Sequence, residues 1–219
     1  MKKLLVLLIS LLLVFTCFGC TKPENNPVNP DNPDNPDTPS VNFEINLVES
    51  EDGKTLTFSS MDVNLEILEK HFDLTDEYQA ACAIIFTLAK YETDKEEALK
   101  MLDYVMGPET HSKFDEDFLK NQFEQYPYVI RSYFDGSTPD NNYLADYKEG
   151  SVTLKVTENI YSRSEENYVN LFFTSGGADS ARSVKLRKKE STGQWFLFSD
   201  TYKGLCSGIR QPAADDKWN

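Results

Sequence analysis

Apolar and polar residues begin to alternate at Phe43, Ile45 and Leu47, break at Glu51-Asp52-Gly53-Lys54, and resume at Leu56 and Phe58. A period of two sends successive side chains to opposite faces of a strand, so this stretch predicts a β-hairpin turning around Asp-Gly. From Ala80 to Ala89 the chain is apolar on almost every side. That predicts a centrally buried helix, with Thr75 as its cap and Asp76 and Glu77 in an acidic first turn. Thr93 and Glu96 have the spacing of a capping box for a second helix, which carries Leu99, Leu102 and Met106 at helical intervals and stops at Gly107-Pro108. Ser112 opens a third, with Phe114, Phe118, Leu119 and Phe123 on its inner side and Tyr126-Pro127 at its end. The period then returns to two. Val152, Leu154 and Val156, then Val169, Leu171 and Phe173, then Val184 and Leu186 each alternate with polar or outward residues, and Trp195 to Phe198 forms a fourth, mostly apolar strand.

Turn residues at Gly176-Gly177-Ala178-Asp179 and Ser191-Thr192-Gly193 make consecutive antiparallel pairing the simplest topology. The expected fold is therefore α+β, an N-terminal hairpin and about three helices packed on a C-terminal meander of about four strands. A curved sheet wrapped by three helices resembles the cone-shaped fold of nuclear-transport-factor-2-like domains, from which the first hairpin departs.

The segment ahead of the first strand has a different character. Lys2 and Lys3 precede an apolar run from Leu4, and the run ends in Thr16-Cys17-Phe18-Gly19-Cys20. A charged start, an apolar middle shorter than a bilayer span and a small residue at the end describe a secretory signal. The ending resembles the lipobox of bacterial lipoproteins, with Cys17 and Phe18 standing where that family usually carries Leu and a small residue. The resemblance implies cleavage before Cys20 and a diacylglyceryl group on its thiol, which would tether the chain to a membrane outside the cytoplasm. Six of the chain's ten prolines follow, at positions 23, 27, 30, 33, 36 and 39. From Pro27 they recur every third residue, the period of polyproline II, which predicts an extended spacer of roughly 60 Å at ~3.1 Å per residue. The expected organisation is a signal at 1–19, the lipidated cysteine and spacer at 20–40, and one α+β domain at 41–219.

Charge narrows the partners. The chain has a formal charge of −14, and removing Lys2 and Lys3 with the signal leaves 20 − 36 = −16. So much negative charge opposes nucleic acid and unassisted docking on an anionic membrane. Of the two cysteines beyond Cys20, Cys82 sits in an apolar helix and behaves as a small core residue, and Cys82 and Cys206 are expected as free thiols although a disulfide is permitted outside the cytoplasm.

Sequence patterns for catalysis are sparse. There is no Gly-x-Ser-x-Gly elbow, no phosphate-binding Gly-x-x-x-x-Gly-Lys-Ser/Thr loop and no His-Glu-x-x-His helix; the two histidines, His71 and His111, are far apart. No cofactor or metal is expected. Two features invite a binding role. Seven of the eleven tyrosines lie between Tyr126 and Tyr168, and a long loop with Tyr133, Asp135, Asn141 and Tyr143 sets aromatic rings beside Asn and Asp side chains. Such a loop can bind a sugar or peptide, or it can simply cover one side of the sheet. Strand periodicity puts Lys185, Arg187 and Lys189 on one face with Arg182 nearby, a basic stripe that either cradles an anion or is an ordinary solvated strand face.

From Tyr78 to Asn219 the chain also resembles an uncharacterised bacterial domain-of-unknown-function family. The resemblance rests on Ala98-Leu99-Lys100-Met101-Leu102, the Tyr133–Tyr143 loop, Ser175 to Ser180, Val184 to Arg187, Ser191 to Leu197 and Ile209 to Pro212. It implies a shared fold and adds Trp195 and Arg210 to the candidate ligand-binding residues, without implying a reaction. The function expected is a lipid-anchored, non-catalytic module binding an envelope glycan, a small anion or a protein. The alternative is an envelope carbohydrate or peptide hydrolase using carboxylate acid and base groups.

Overall fold

A computed structural model of the chain describes residues 42–145 and 150–217. The expected signal, Cys20 and the proline-rich spacer lie outside the described residues. Strand β1 (Ile45–Ser50) and strand β2 (Gly53–Phe58) form the hairpin, with Glu51 and Asp52 as its turn. Gly53 opens β2 because the next strand passes so close that a Cβ there would lie 2.1 Å from the Val156 carbonyl oxygen. Four helices follow: α1 (Leu65–His71), α2 (Glu77–Lys90), α3 (Lys95–Met106) and α4 (Lys113–Gln125). Then come β3 (Val152–Thr157), β4 (Tyr168–Phe173), β5 (Arg182–Lys188) and β6 (Trp195–Leu197).

The strands make one open antiparallel sheet in chain order from β1 to β6. The hairpin thus continues the C-terminal meander: β2 pairs with β3 from Gly53–Thr157 to Phe58–Val152, and the helices are an insertion between them. One face of the sheet is buried. Leu56, Phe58, Leu154, Val156, Leu171, Phe173, Val184 and Leu186 are solvent-free, and so are Ala81 to Ile85 of α2. This explains why α2 is apolar all round: it packs against α3 on one side and β4, β5 and β6 on the other. At one end of the core Phe86 meets Phe58 edge-on at 4.7 Å and Phe72 at 5.8 Å, while Phe58 and Phe72 stack at 5.6 Å.

Four sequence-level expectations shift. The short α1, capped by the Asn64 side chain on the Ile67 amide, adds a helix. Asp76 rather than Thr75 caps α2, because its carboxylate accepts both the Tyr78 and Gln79 amides while Asp73 takes the Thr75 amide and hydroxyl. Asp94 rather than Thr93 caps α3, and the Thr93 hydroxyl donates back to the Lys90 carbonyl to close α2. Phe114 is 71% exposed instead of inward, since the first turn of α4 buries Asp115, the capping-box residue that also accepts from Tyr202, and Leu119 and Phe123 are its buried apolar residues. Cys82 and Cys206 are buried free thiols. No helix among the described residues is long and apolar enough to cross a membrane.

Candidate functional site

Beyond the helix-covered face, the end of β4, β5 and β6 carries an open cleft of about 580 Å³. Strand alternation assembles it. With Val169, Val184 and Leu186 committed to the core, Tyr168, Lys185 and Arg187 must face outward. The register then sets Tyr168 opposite Arg187 and Arg187 opposite Phe196, a row of aromatic, cation and aromatic across three strands. The Arg187 guanidinium lies 5.6 Å from the Tyr168 ring centre. Beside it the Lys185 ammonium sits 4.6 Å from the same ring and 5.5 Å from Phe198, and Tyr168 and Phe198 meet edge-to-face at 5.0 Å.

Local backbone geometry holds the rim. Asn167 adopts a left-handed φ of 62°, its carbonyl accepts from the Lys188 amide at 2.8 Å, and its side-chain amide donates to Glu190 at 2.5 Å. The Lys189 carbonyl accepts the Thr192 and Gly193 amides, which fixes the β5–β6 turn and sets Lys189, Glu190 and Ser191 along the cleft wall. Met106, Pro108 and Glu109 close the other side. Gly107 lets the end of α3 lie against the cleft: its φ is 68°, and a Cβ would come within 2.3 Å of the Phe196 ring.

The cations of this region are not equivalent. Lys185 is neutralised by Glu165 at 2.9 and 3.0 Å. Arg187 and Lys189 have no carboxylate partner among the described residues, although the protein as a whole is strongly acidic. An exposed guanidinium and an ammonium in a concave, aromatic-walled site can take an anionic group by charge-assisted hydrogen bonds while the rings offer flat apolar contact.

Other residues singled out in the sequence lie elsewhere. Tyr133 is buried, its hydroxyl donating to the Leu205 carbonyl at 2.5 Å, and burial pushes its pKa well up. Tyr143 is solvent-free, stacks on Tyr128 at 5.4 Å and donates to the Arg210 carbonyl at 2.6 Å; burial, then the neighbouring Tyr128, pushes its pKa up to about 12. Their ring faces are packing surfaces. Asn141 organises the same loop, accepting from the Thr138 amide and donating to the Gly136 carbonyl, and exposed Asp135 pairs with Lys155 at 3.2 Å. Arg182 donates to the Ser207, Gly208 and Ser180 carbonyls, while Arg210 reaches Asp179 and the Gly177 carbonyl. These two arginines tie the β4–β5 connection to the C-terminal segment. Trp195 is buried beneath the Lys188 ammonium, 5.4 Å away.

Of the candidate residues, then, the structure brings Arg187 to the cleft, sets Lys185 beside it on the Tyr168 and Phe198 rings, and sends the others to the core or to loop contacts. Tyr168, Lys189, Phe196 and Phe198 complete it. The parity of β4 and β6 marks Tyr168, Phe196 and Phe198 as outward aromatics, the one signal in the sequence that could have drawn them in. Among the described residues no group of His, Cys, Asp and Glu side chains converges to hold a metal ion. Comparison with curated proteins and with solved structures gives no match. A family model described as a domain of unknown function, DUF6935, matches residues 57–213, from within β2 to beyond the last strand. The chain therefore belongs to the DUF6935 family.

Proposed function

We propose that this protein is a lipid-anchored, extracytoplasmic, non-catalytic binding module whose cleft takes an anionic group, a carboxylate or a phosphate, carried by an envelope glycan. The observation that carries the ligand class is the pair Arg187 and Lys189, free of carboxylate partners among the described residues, beside the Tyr168 and Phe198 rings. Sugars pack on such rings while their acidic substituents engage the cations. The address rests on the lipobox-type run ending at Cys20, and the proline-rich stretch behind it supplies reach rather than affinity. Two acyl chains hold a protein stably where one binds marginally, so anchoring does not depend on charge.

The test uses the full chain, its Arg187→Gln/Lys189→Gln double variant and a Lys120→Gln control on the exposed side of α4. Incubated with native envelope, wild type and control should retain an acidic glycan that the double variant loses, and raising salt should weaken retention. Equal retention by all three proteins would reject the cleft. For the anchor, Cys20→Ala should move the protein out of the detergent phase; unchanged partitioning would reject lipidation at Cys20.

A further inference from the structure

The two edges of the sheet are treated differently. At β6, only three residues long, the Trp195 amide donates to the Leu74 carbonyl at 2.7 Å, so the chain itself covers part of that edge. β1 has no such cover among the described residues. The Ser59 amide donates to the Glu44 carbonyl, which sets the phase of the β1–β2 ladder. In an antiparallel pair the direction of the backbone groups alternates, so Glu44, Asn46, Val48 and Ser50 face β2 while Ile45, Leu47 and Glu49 turn their amides and carbonyls to the open side. None of those outward groups has a partner among the described residues. β1 reads INLVES, with no lysine, no proline, no bulge and Glu49 as its one charge, and it pairs without interruption from Ile45–Phe58 to Ser50–Gly53, so little blunts this edge. Leu47, on the core face, is 36% exposed, and Val48, on the other face, is 64% exposed.

We infer that β1 pairs antiparallel with β1 of a second copy of this chain, about a two-fold axis at Leu47. A two-fold perpendicular to the sheet keeps each face on its own side, so it opposes residues of the same parity, and Leu47 and Val48, the central residues of β1, are the axis positions that keep most of the strand paired. At Leu47 the outward groups meet one another: Leu47 opposes its own counterpart, and Ile45 opposes the second copy's Glu49. Asn46 then opposes Val48 and Glu44 opposes Ser50, so no carboxylate faces another, and the exposed leucines cover each other on the core side. An axis at Val48 sets Leu47 against Glu49 and pushes Ile45 past the strand into the turn at Glu51. This self-complementary register favours a second copy over a foreign strand.

The test uses the full chain in detergent with Cys17→Ser and Cys20→Ser as background, Cys82 and Cys206 being buried. Opposed residues of a hydrogen-bonded pair have Cα atoms about 5.5 Å apart, inside the range of roughly 4.4–6.8 Å that a disulfide spans. Oxidation should convert most of a Leu47→Cys protein to covalent dimer, and about a tenth or less of a Val48→Cys protein, whose thiols lie two residues out of step. The background protein should sediment as a dimer at about 100 µM and Leu47→Lys as a monomer. A monomeric background protein, cross-linking at Val48→Cys in place of Leu47→Cys, or a Leu47→Lys protein that stays dimeric would each overturn the inference.

Discussion

Asp115 is a buried carboxylate whose removal has a calculable cost. It accepts from the Ser112 amide and hydroxyl at 2.9 and 2.6 Å, from the Tyr202 hydroxyl at 2.8 Å, and pairs with Lys203 at 3.1 Å. Asp115→Ala removes half of the α4 capping box, worth about 1 kcal/mol. It also strands the solvent-free Tyr202 hydroxyl, a loss of about 1–3 kcal/mol. Lys203 keeps Asp200 at 3.5 Å, so its share is small. The sum is about 3 kcal/mol, or about 6–12 °C in Tm for a domain of this size. The control is Asp117→Ala on the same helix, an exposed residue paired only with Lys113 among the described residues, which should change stability by about 0.5 kcal/mol or less. Burial raises the Asp115 pKa, but the Ser112 bonds, then Tyr202 and Lys203, outweigh it and hold the carboxyl below the usual range. A pKa lowered by folding contributes stability above the unfolded value, near about 3.9 for Asp, and loses it as pH falls through the folded value. Urea unfolding followed by circular dichroism should therefore show the wild-type advantage over Asp115→Ala at pH 7 and a shrinking advantage below about pH 4. Equal stability of Asp115→Ala and Asp117→Ala at pH 7, or an advantage that grows on acidification, would show that the Asp115 carboxylate does not hold α4 and Tyr202 in place.

Two further outcomes follow from the core. Phe86→Ala, which empties the site between Phe58, Phe72 and Phe134, should cost about 3–5 kcal/mol in urea unfolding, with far smaller losses for Phe114→Ala at an exposed position. In the Cys17→Ser/Cys20→Ser protein, Cys206, its pKa pushed up to about 12 by burial, and Cys82, raised by burial and then by Asp76, should resist a thiol reagent at pH 8 until the protein is unfolded in guanidinium; rapid native-state labelling would contradict their placement.

The strands of the meander are legible because one face of the sheet is buried, and Val152-Thr153-Leu154-Lys155-Val156 prints that asymmetry directly into the sequence. α2 is legible for the opposite reason, burial on every side. What the sequence does not carry is long-range. The pairing of β2 with β3 spans the whole helical insertion, and no local pattern marks it. α1 is seven residues, too short for periodicity to stand out. Adjacent capping residues, Thr75 with Asp76 and Thr93 with Asp94, are interchangeable by type, and only the amide geometry selects between them. The tyrosine-rich loop looks open to ligand in the sequence because hydroxyl partners such as the Leu205 and Arg210 carbonyls are 72 and 67 residues away. The cleft needs register as well as parity: Lys185 and Arg187 are visible as a stripe, but only the pairing of β4, β5 and β6 sets Tyr168 and Phe196 on either side of Arg187.

Arg187 and Lys189 are proposed to form an anion site walled by Tyr168 and Phe198. Its most direct test is a titration of the isotope-labelled full chain with inorganic phosphate and, separately, with a soluble acidic oligosaccharide, following backbone amide resonances. Saturable shifts should concentrate at Asn167, Tyr168, Arg187 and Lys189, be larger for the oligosaccharide, and be abolished in the Arg187→Gln/Lys189→Gln protein. Shifts centred on the Tyr133–Tyr143 loop, or the same shifts in the double variant, would contradict it.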